Sequence, residues 1–215
     1  IGSSTTCQVN ASVDGIEFPA TPAKEGYQFG FWCSDQSGYG GKVYHEDTPF
    51  IADTNIVYAV MLPDPNPNLE PQGDEKKDGN WIYRINNHES CTILKYLGRE
   101  SNVTVPDKFK CQSCTDTAGE DVYHPVTGIA ENAFWYNYYL QDLTLHAGIT
   151  VIPQDAFRNC VNLQSVNGLN KVTSIGNNAF RNCFKLKSIG SINDLQQIGD
   201  FCFLNCIELD AAALP

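Results

Sequence analysis

The sequence predicts an α+β protein in which a solenoid of 23-residue repeats fills residues 81–215 and a small β-rich module precedes it at residues 5–62. Three observations predict this arrangement. Apolar residues recur at one fixed period through the C-terminal half, a proline-rich polar stretch interrupts the chain, and apolar alternation at strand period precedes that stretch.

The period is the strongest signal. Phe134, Phe157, Phe180 and Phe203 stand 23 residues apart. Ala133, Ala156, Ala179 and Cys202 precede them, and Ile129, Ile152, Ile175 and Ile198 sit five positions ahead. Behind each Phe come Asn137, Cys160, Cys183 and Cys206, then Leu140, Leu163, Leu186 and Leu209, then Leu143, Val166, Ile189 and Ala212. A unit this short encloses no core of its own, so its apolar columns are satisfied only by stacking on neighbouring units. Leu140–Leu145 reads as a strand, and Ala156–Cys160 as a short helical turn on the opposite side. One strand per coil, stacked in parallel, advances about 4.8 Å per repeat. The strand residues that alternate with the core columns then point outward: Asp142 and Thr144, Ser165 and Asn167, Ser188 and Gly190.

Residues 63–80 form the interruption. The stretch from Leu62 to Asn80 carries four prolines, two glycines and almost nothing apolar. Such a segment buries too little to offset its ordering entropy, so it is expected to act as an extended linker. Ahead of it, Ile56, Tyr58 and Val60 alternate as a half-buried strand does.

The motif Ile152-x4-Phe157-x2-Cys160-x2-Leu163-x2-Val166 resembles the BspA-like (treponemal-type) leucine-rich repeat of bacterial and protozoan surface proteins. Val103-Thr104-Val105-Pro106 is similar to a strand of that family ending in Pro, and Thr92–Gly98 to the strand that opens such arrays. Relative to the pattern, about seventeen extra residues interrupt the first unit around Cys111-Gln112-Ser113-Cys114, since 40 residues separate Val103 from Leu143. This polar, glycine-containing insertion is expected to leave the solenoid as a loop. Asp210–Pro215 closes the sequence without a polar cap. In the first module, Pro22-Ala23-Lys24-Glu25-Gly26-Tyr27-Gln28-Phe29-Gly30-Phe31-Trp32 resembles the signature of Listeria–Bacteroides (internalin B-type) repeats, with Phe31 in place of a second Gly. Asp47–Ala59 resembles the closing strand of that module. The resemblance implies a small β-grasp-like fold on secreted or surface-anchored bacterial proteins.

Composition restricts partners. A formal net charge of −11 argues against nucleic acid and anionic membrane, which demand basic patches. No apolar run of eighteen residues is present, so no membrane insertion is expected in this segment. The chain opens without a visible signal peptide, although a removed signal would leave the same picture. Asn10-Ala11-Ser12 and Asn102-Val103-Thr104 match the glycosylation pattern, which two chance occurrences also explain.

No catalytic constellation stands out, and neither cofactor nor metal is expected: the chain lacks Gly-x-Ser-x-Gly, phosphate-cradling glycine loops and His-Glu-x-x-His. Nine cysteines is an odd number, so at least one thiol stays unpaired or pairs outside the chain. Cys111 and Cys114 form either a structural pair pinning the insertion, a half-site for zinc completed from His88, Cys91 or His124, or a redox couple. Cys160, Cys183 and Cys206 face inward by register, as small hydrophobes. Cys202 either takes its place in the alanine column or approaches Cys206. Phe134-Trp135-Tyr136-Asn137-Tyr138-Tyr139 either packs the insertion or offers an aromatic binding surface. The resemblance implies a secreted or cell-surface protein-binding or adhesion module of a bacterium, not an enzyme. Its candidate concave face is Asp142, Thr144, Ser165, Asn167 and Ser188, and its partner a host or matrix protein or a glycan. The alternative is a structural spacer that displays another domain of a longer surface protein.

Overall fold

The computed structural model describes residues 5–8, 23–34, 43–44, 56–66, 68–115 and 119–210. The Asn10 glycosylation pattern, Pro22 of the first signature, residues 47–55 of the closing-strand resemblance and Ala211–Pro215 lie outside them. Contacts divide the chain into two compact units, Ile1–Asp64 and Pro65–Pro215.

The first unit is an antiparallel sheet of β1 (Thr5–Gln8), β2 (Tyr27–Cys33), β3 (Val43–Tyr44) and β4 (Ile56–Pro63), in the order β1-β4-β2-β3. A bulge between Phe29 and Phe31 shifts the β2–β4 register. Strict alternation would bury every second residue. Downstream of the bulge Phe31, Trp32 and Cys33 are all buried in succession, with buried Ala59 opposite Trp32, while buried Met61 and Leu62 pair upstream of it with Phe29 and Gln28.

The second unit begins within the proline-rich stretch. Its strands are β5 (Lys76–Asp78), β6 (Trp81–Asn86), β7 (Ser90–Tyr96), β8 (Asn102–Thr104), β9 (Lys108–Thr115), β10 (Asp121–Ile129), β11 (Asp142–Thr144), β12 (Val151–Ile152), β13 (Ser165–Asn167), β14 (Ser174–Ile175) and β15 (Gln197–Ile198). They form a five-stranded sheet, β5-β6-β7-β10-β9, and two three-stranded parallel sheets, β13-β11-β8 and β12-β14-β15. β5 pairs with β6, and the Lys77 ammonium donates to the Leu69 carbonyl at 3.1 Å.

Among the described residues there is no α-helix, only one 3-10 turn at Leu169–Lys171, so the expected α+β class is corrected to a nearly all-strand, curled fold. The turn expected to be helical fails for a reason of backbone sign. Asp155 and Asn159 both have positive φ, as do Asn132 and Tyr136 before them and Asn178 and Asn182 after. Two left-handed residues four apart cannot belong to one right-handed helix, and Asn and Asp tolerate that region best. Each coil therefore bends through two tight turns around its Phe.

The insertion is corrected as well. Lys108–Thr115 is a strand, pairing antiparallel with β10 as a hairpin, where a loop was expected. Lys108 and Lys110 are exposed while Phe109 and Cys111 are buried, the alternation of a one-sided strand. The Phe109 ring stacks on Tyr83 at 3.9 Å.

Aromatic packing runs through the core of this unit. Tyr96 meets Phe134 at 5.4 Å, and Phe134–Phe157, Phe157–Phe180 and Phe180–Phe203 follow at 5.0, 5.2 and 5.5 Å. Asn182 Nδ2 donates to Asn159 Oδ1 and Asn205 Nδ2 to Asn182 Oδ1, both at 2.7 Å. The Cys160, Cys183 and Cys206 thiols donate to the carbonyls of Phe134, Phe157 and Phe180 at 3.1–3.2 Å. Gly168, at φ +84, is where the coil after β13 passes close to its neighbour: a Cβ there would lie 2.1 Å from the Leu145 carbonyl oxygen.

Candidate binding surface

The sheet β13-β11-β8 carries the candidate residues. Asp142 pairs with Ser165 and Thr144 with Asn167, while Ser165 bridges to Ser188. The five residues expected on one face thus occupy consecutive coils of one parallel ladder. Between them Leu143, Val166 and Ile189 are fully buried. Thr144, Asn167, Ser188 and Gly190 are exposed, and Asp142 and Ser165 are half-buried. The Ser165 hydroxyl donates to the Asp142 carboxylate at 2.5 Å, which fixes both side chains, and Gln164 Nε2 donates to Gln141 Oε1 beside them at 3.3 Å. The result is a grid of hydroxyl, amide and carboxylate groups on a backbone that cannot shift without breaking the ladder. Such groups exchange hydrogen bonds with a partner.

Sequence reasoning missed two members of this grid. β8 joins β11 in parallel, Asn102 beside Asp142 and Thr104 beside Thr144, and both are exposed. The sequence already set Val103 one unit ahead of Leu143, which is the observed register, but its neighbours Asn102 and Thr104 were not carried onto the face.

Burial governs the thiols inside the array. Burial pushes the Cys202 and Cys206 thiols up to about 12, and it also raises those of Cys160 and Cys183. A thiol held protonated by burial is a weak nucleophile near neutral pH. Cys202 is buried in the column of Ala133, Ala156 and Ala179 and, like Cys206, carries no disulfide. Cys111 is disulfide-bonded, whereas Cys91, one of the partners considered for it, is an unpaired buried thiol. The Cys114 side chain lies outside the described residues. No group of three His, Cys, Asp or Glu side chains placed to hold a metal occurs among the described residues.

The aromatic run divides. Phe134 and Tyr138 are buried, while Trp135, Tyr136 and Tyr139 are half-buried and stack in pairs, Trp135 on Tyr136 at 4.4 Å and Tyr138 against Tyr139 at 4.3 Å. Arg99 lies over the Tyr139 ring at 5.6 Å. No helix among the described residues is long and apolar enough to cross a membrane.

Residues 127–215 match the family of the BspA type leucine rich repeat region, in 6 copies. Among solved structures, a leucine rich cell surface protein from Faecalibacterium prausnitzii A2-165 is 26% identical with a TM-score of 0.54, over 65% of this chain and 36% of that one. A leucine-rich repeat protein from Bacteroides ovatus is 22% identical with a TM-score of 0.50, over 60% and 33%. The T. pallidum leucine rich repeat protein is 23% identical with a TM-score of 0.47, over 63% and 69%. The chain therefore matches little more than a third of the length of the F. prausnitzii protein. No functionally curated protein matches it.

Proposed function

We infer, taking residues 127–215 as a BspA-type leucine-rich-repeat region, that the protein is a non-catalytic binding module displayed at a bacterial cell surface. The observation that carries this reading is the open grid of Asp142, Thr144, Ser165, Asn167 and Ser188 on one rigid ladder. Adjacent coils set these groups about 4.8 Å apart across the strands and about 6.7 Å apart along them. A partner that offers complementary donors and acceptors over a broad, shallow contact fits such a grid: a host or matrix protein, or a glycan.

Several finer statements belong to the same reading. The solenoid of 23-residue coils is placed over 81–215, and hydrogen bonds between residues 23 apart support it from Asp142 to Asn205. Of the segment 63–80, the stretch ahead of β5 is read as a linker, Lys76–Asp78 being paired with β6, and 5–62 is read as a small β-grasp-like module, supported by its four-stranded sheet. Display at the cell surface after secretion is part of this reading, and the F. prausnitzii relative is named a cell surface protein. A spacer role is the second reading, favoured by the unbroken Phe and Asn stacks that stiffen the array.

The test is a screen of the full chain against arrayed glycans and extracellular matrix proteins, repeated with Thr144→Arg/Asn167→Arg. Saturable binding that the double variant loses supports the binding module. Binding that it leaves unchanged moves the site elsewhere, and no binding at all favours the spacer.

A further inference from the structure

β8 ends the strand order β13-β11-β8. Its bonds to β11 come from alternate residues: the Asp142 N–H donates to the Ser101 carbonyl and the Val105 N–H to the Thr144 carbonyl, both at 2.9 Å. A strand engages one neighbour through every second residue, so the main-chain N–H and C=O groups of Asn102 and Thr104 face away from β11. No described strand pairs with β8 on that side. Beside it lies a cavity of about 450 Å³ lined by Asp78, Asn80, Trp81, Glu100, Asn102 and Thr104 among others.

The lining is acidic and in part preset. The Tyr96 hydroxyl and Asn80 Nδ2 both donate to the Glu100 carboxylate, the latter at 2.9 Å. The hydrogen bond from Tyr96 holds the Glu100 carboxyl below its ordinary range, so it is an anion at neutral pH. The cation among the lining residues, Lys108, has its ammonium over the Tyr123 ring at 5.0 Å.

We propose that this edge takes an extended, basic polypeptide segment of a partner as an added strand beside β8, with a Lys or Arg side chain reaching the carboxylates of Asp78 and Glu100. Two independent features select this occupant. Outward main-chain groups at strand pitch are matched by another polypeptide backbone, which satisfies donors and acceptors together. Two carboxylates on the adjoining wall select positive charge on that backbone's side chains. The cavity volume falls within the range of about 300–1,000 Å³ that holds small ligands. A saccharide would meet the carboxylates and Trp81 but would not reproduce the alternating pattern of Asn102 and Thr104. The proposal rests on the binding-module reading, because β8 belongs to the same sheet as Asp142 and Ser165.

The experiment titrates the ¹⁵N-labelled full chain with four probes, followed by amide shifts of Asn102 and Thr104. The probes are the capped pentapeptide Thr-Lys-Thr-Lys-Thr, its Thr-Glu-Thr-Glu-Thr counterpart, a backbone N-methylated form of the first, and neutral chitotriose. The expected result is saturable shifts at both amides with the lysine peptide, and affinity at least about ten-fold weaker with the glutamate and N-methylated forms. Thr104→Pro removes the outward N–H while sparing the bonds to β11, so it should abolish binding and keep the far-ultraviolet spectrum. Asp78→Asn/Glu100→Gln should weaken binding by about ten-fold or more. Equal binding of the N-methylated or glutamate peptides overturns the proposal, as does a response to chitotriose alone or no response at Asn102 and Thr104. A partner blocked by Thr144→Arg/Asn167→Arg, with the peptides inert, defeats only this proposal. Peptide binding without any partner in the screen defeats only the reading of the wider face.

Discussion

Truncating Phe180 tests the stacked core. Its ring is fully buried, nearly parallel to Phe157 at 5.2 Å (8°) and to Phe203 at 5.5 Å (2°). Phe180→Ala removes both contacts and leaves a cavity. The neighbouring coils cannot close it easily, because the Phe157 N–H donates to the Ala179 carbonyl at 2.8 Å and the Phe180 N–H to the Cys202 carbonyl at 2.9 Å. Core aromatic truncations cost about 3–5 kcal/mol, and this geometry places the loss at about 4. Aromatic pairing supplies about 0.5–1.5 kcal/mol of it for each lost neighbour. Phe203 is half-buried and stacks on Phe180 from one side only, so Phe203→Ala should cost about half as much. Urea unfolding of the full chain, followed by far-ultraviolet circular dichroism, measures both. A loss below about 1 kcal/mol for Phe180→Ala, or equal losses for the two variants, would refute the reasoning.

Asn182→Asp replaces the Nδ2 donor to Asn159 by an acceptor at a residue only 1% exposed, so stability should fall by about 3 kcal/mol in the same urea assay. Cys202 and Cys206 hold their protons up to about pH 12 in the folded protein against an ordinary value of 9.0. Because the native state then binds more protons than the unfolded chain, their contribution is complete below about pH 9 and is lost as pH rises toward 12. Midpoints measured from pH 8 to 11 should decline accordingly, and should decline less in Cys202→Ala. Limited digestion with a protease that cleaves ahead of aspartate should, among the described residues, cut first before the exposed Asp74, leaving the fragment that follows resistant, and early cleavage ahead of Asp155 would contradict the compact second unit.

The parts of the fold legible in the sequence were those carried by apolar period. Phe134, Phe157 and Phe180 are buried in one stack, and Leu143, Val166 and Ile189 alternate with the outward rows as their spacing requires. What escaped was carried by residues that carry little apolar signal. Asp155 and Asn159 make the coil turn twice with positive φ, so a run that looked helical by composition is two tight turns. Asn159, Asn182 and Asn205 pair side chain to side chain, a role that depends on neighbouring coils and not on local pattern. In the insertion, Lys108-Phe109-Lys110-Cys111 already alternated at strand period, but the polar residues after Cys111 outweighed it. The alignment of Val103 with Leu143 across the insertion was legible, and with it the outward places of Asn102 and Thr104, which alternate with Val103 on its strand.

The central claim is that the outward rows of the sheet β13-β11-β8 are a binding surface. Surface plasmon resonance of the full chain against the strongest partner from the glycan and matrix-protein screen tests it most directly, with Thr144→Arg/Asn167→Arg in parallel. Both positions are exposed, so the double variant should keep the wild-type unfolding midpoint. The account predicts saturable wild-type binding that weakens by about ten-fold or more in the variant. Unchanged affinity with the fold intact would contradict it.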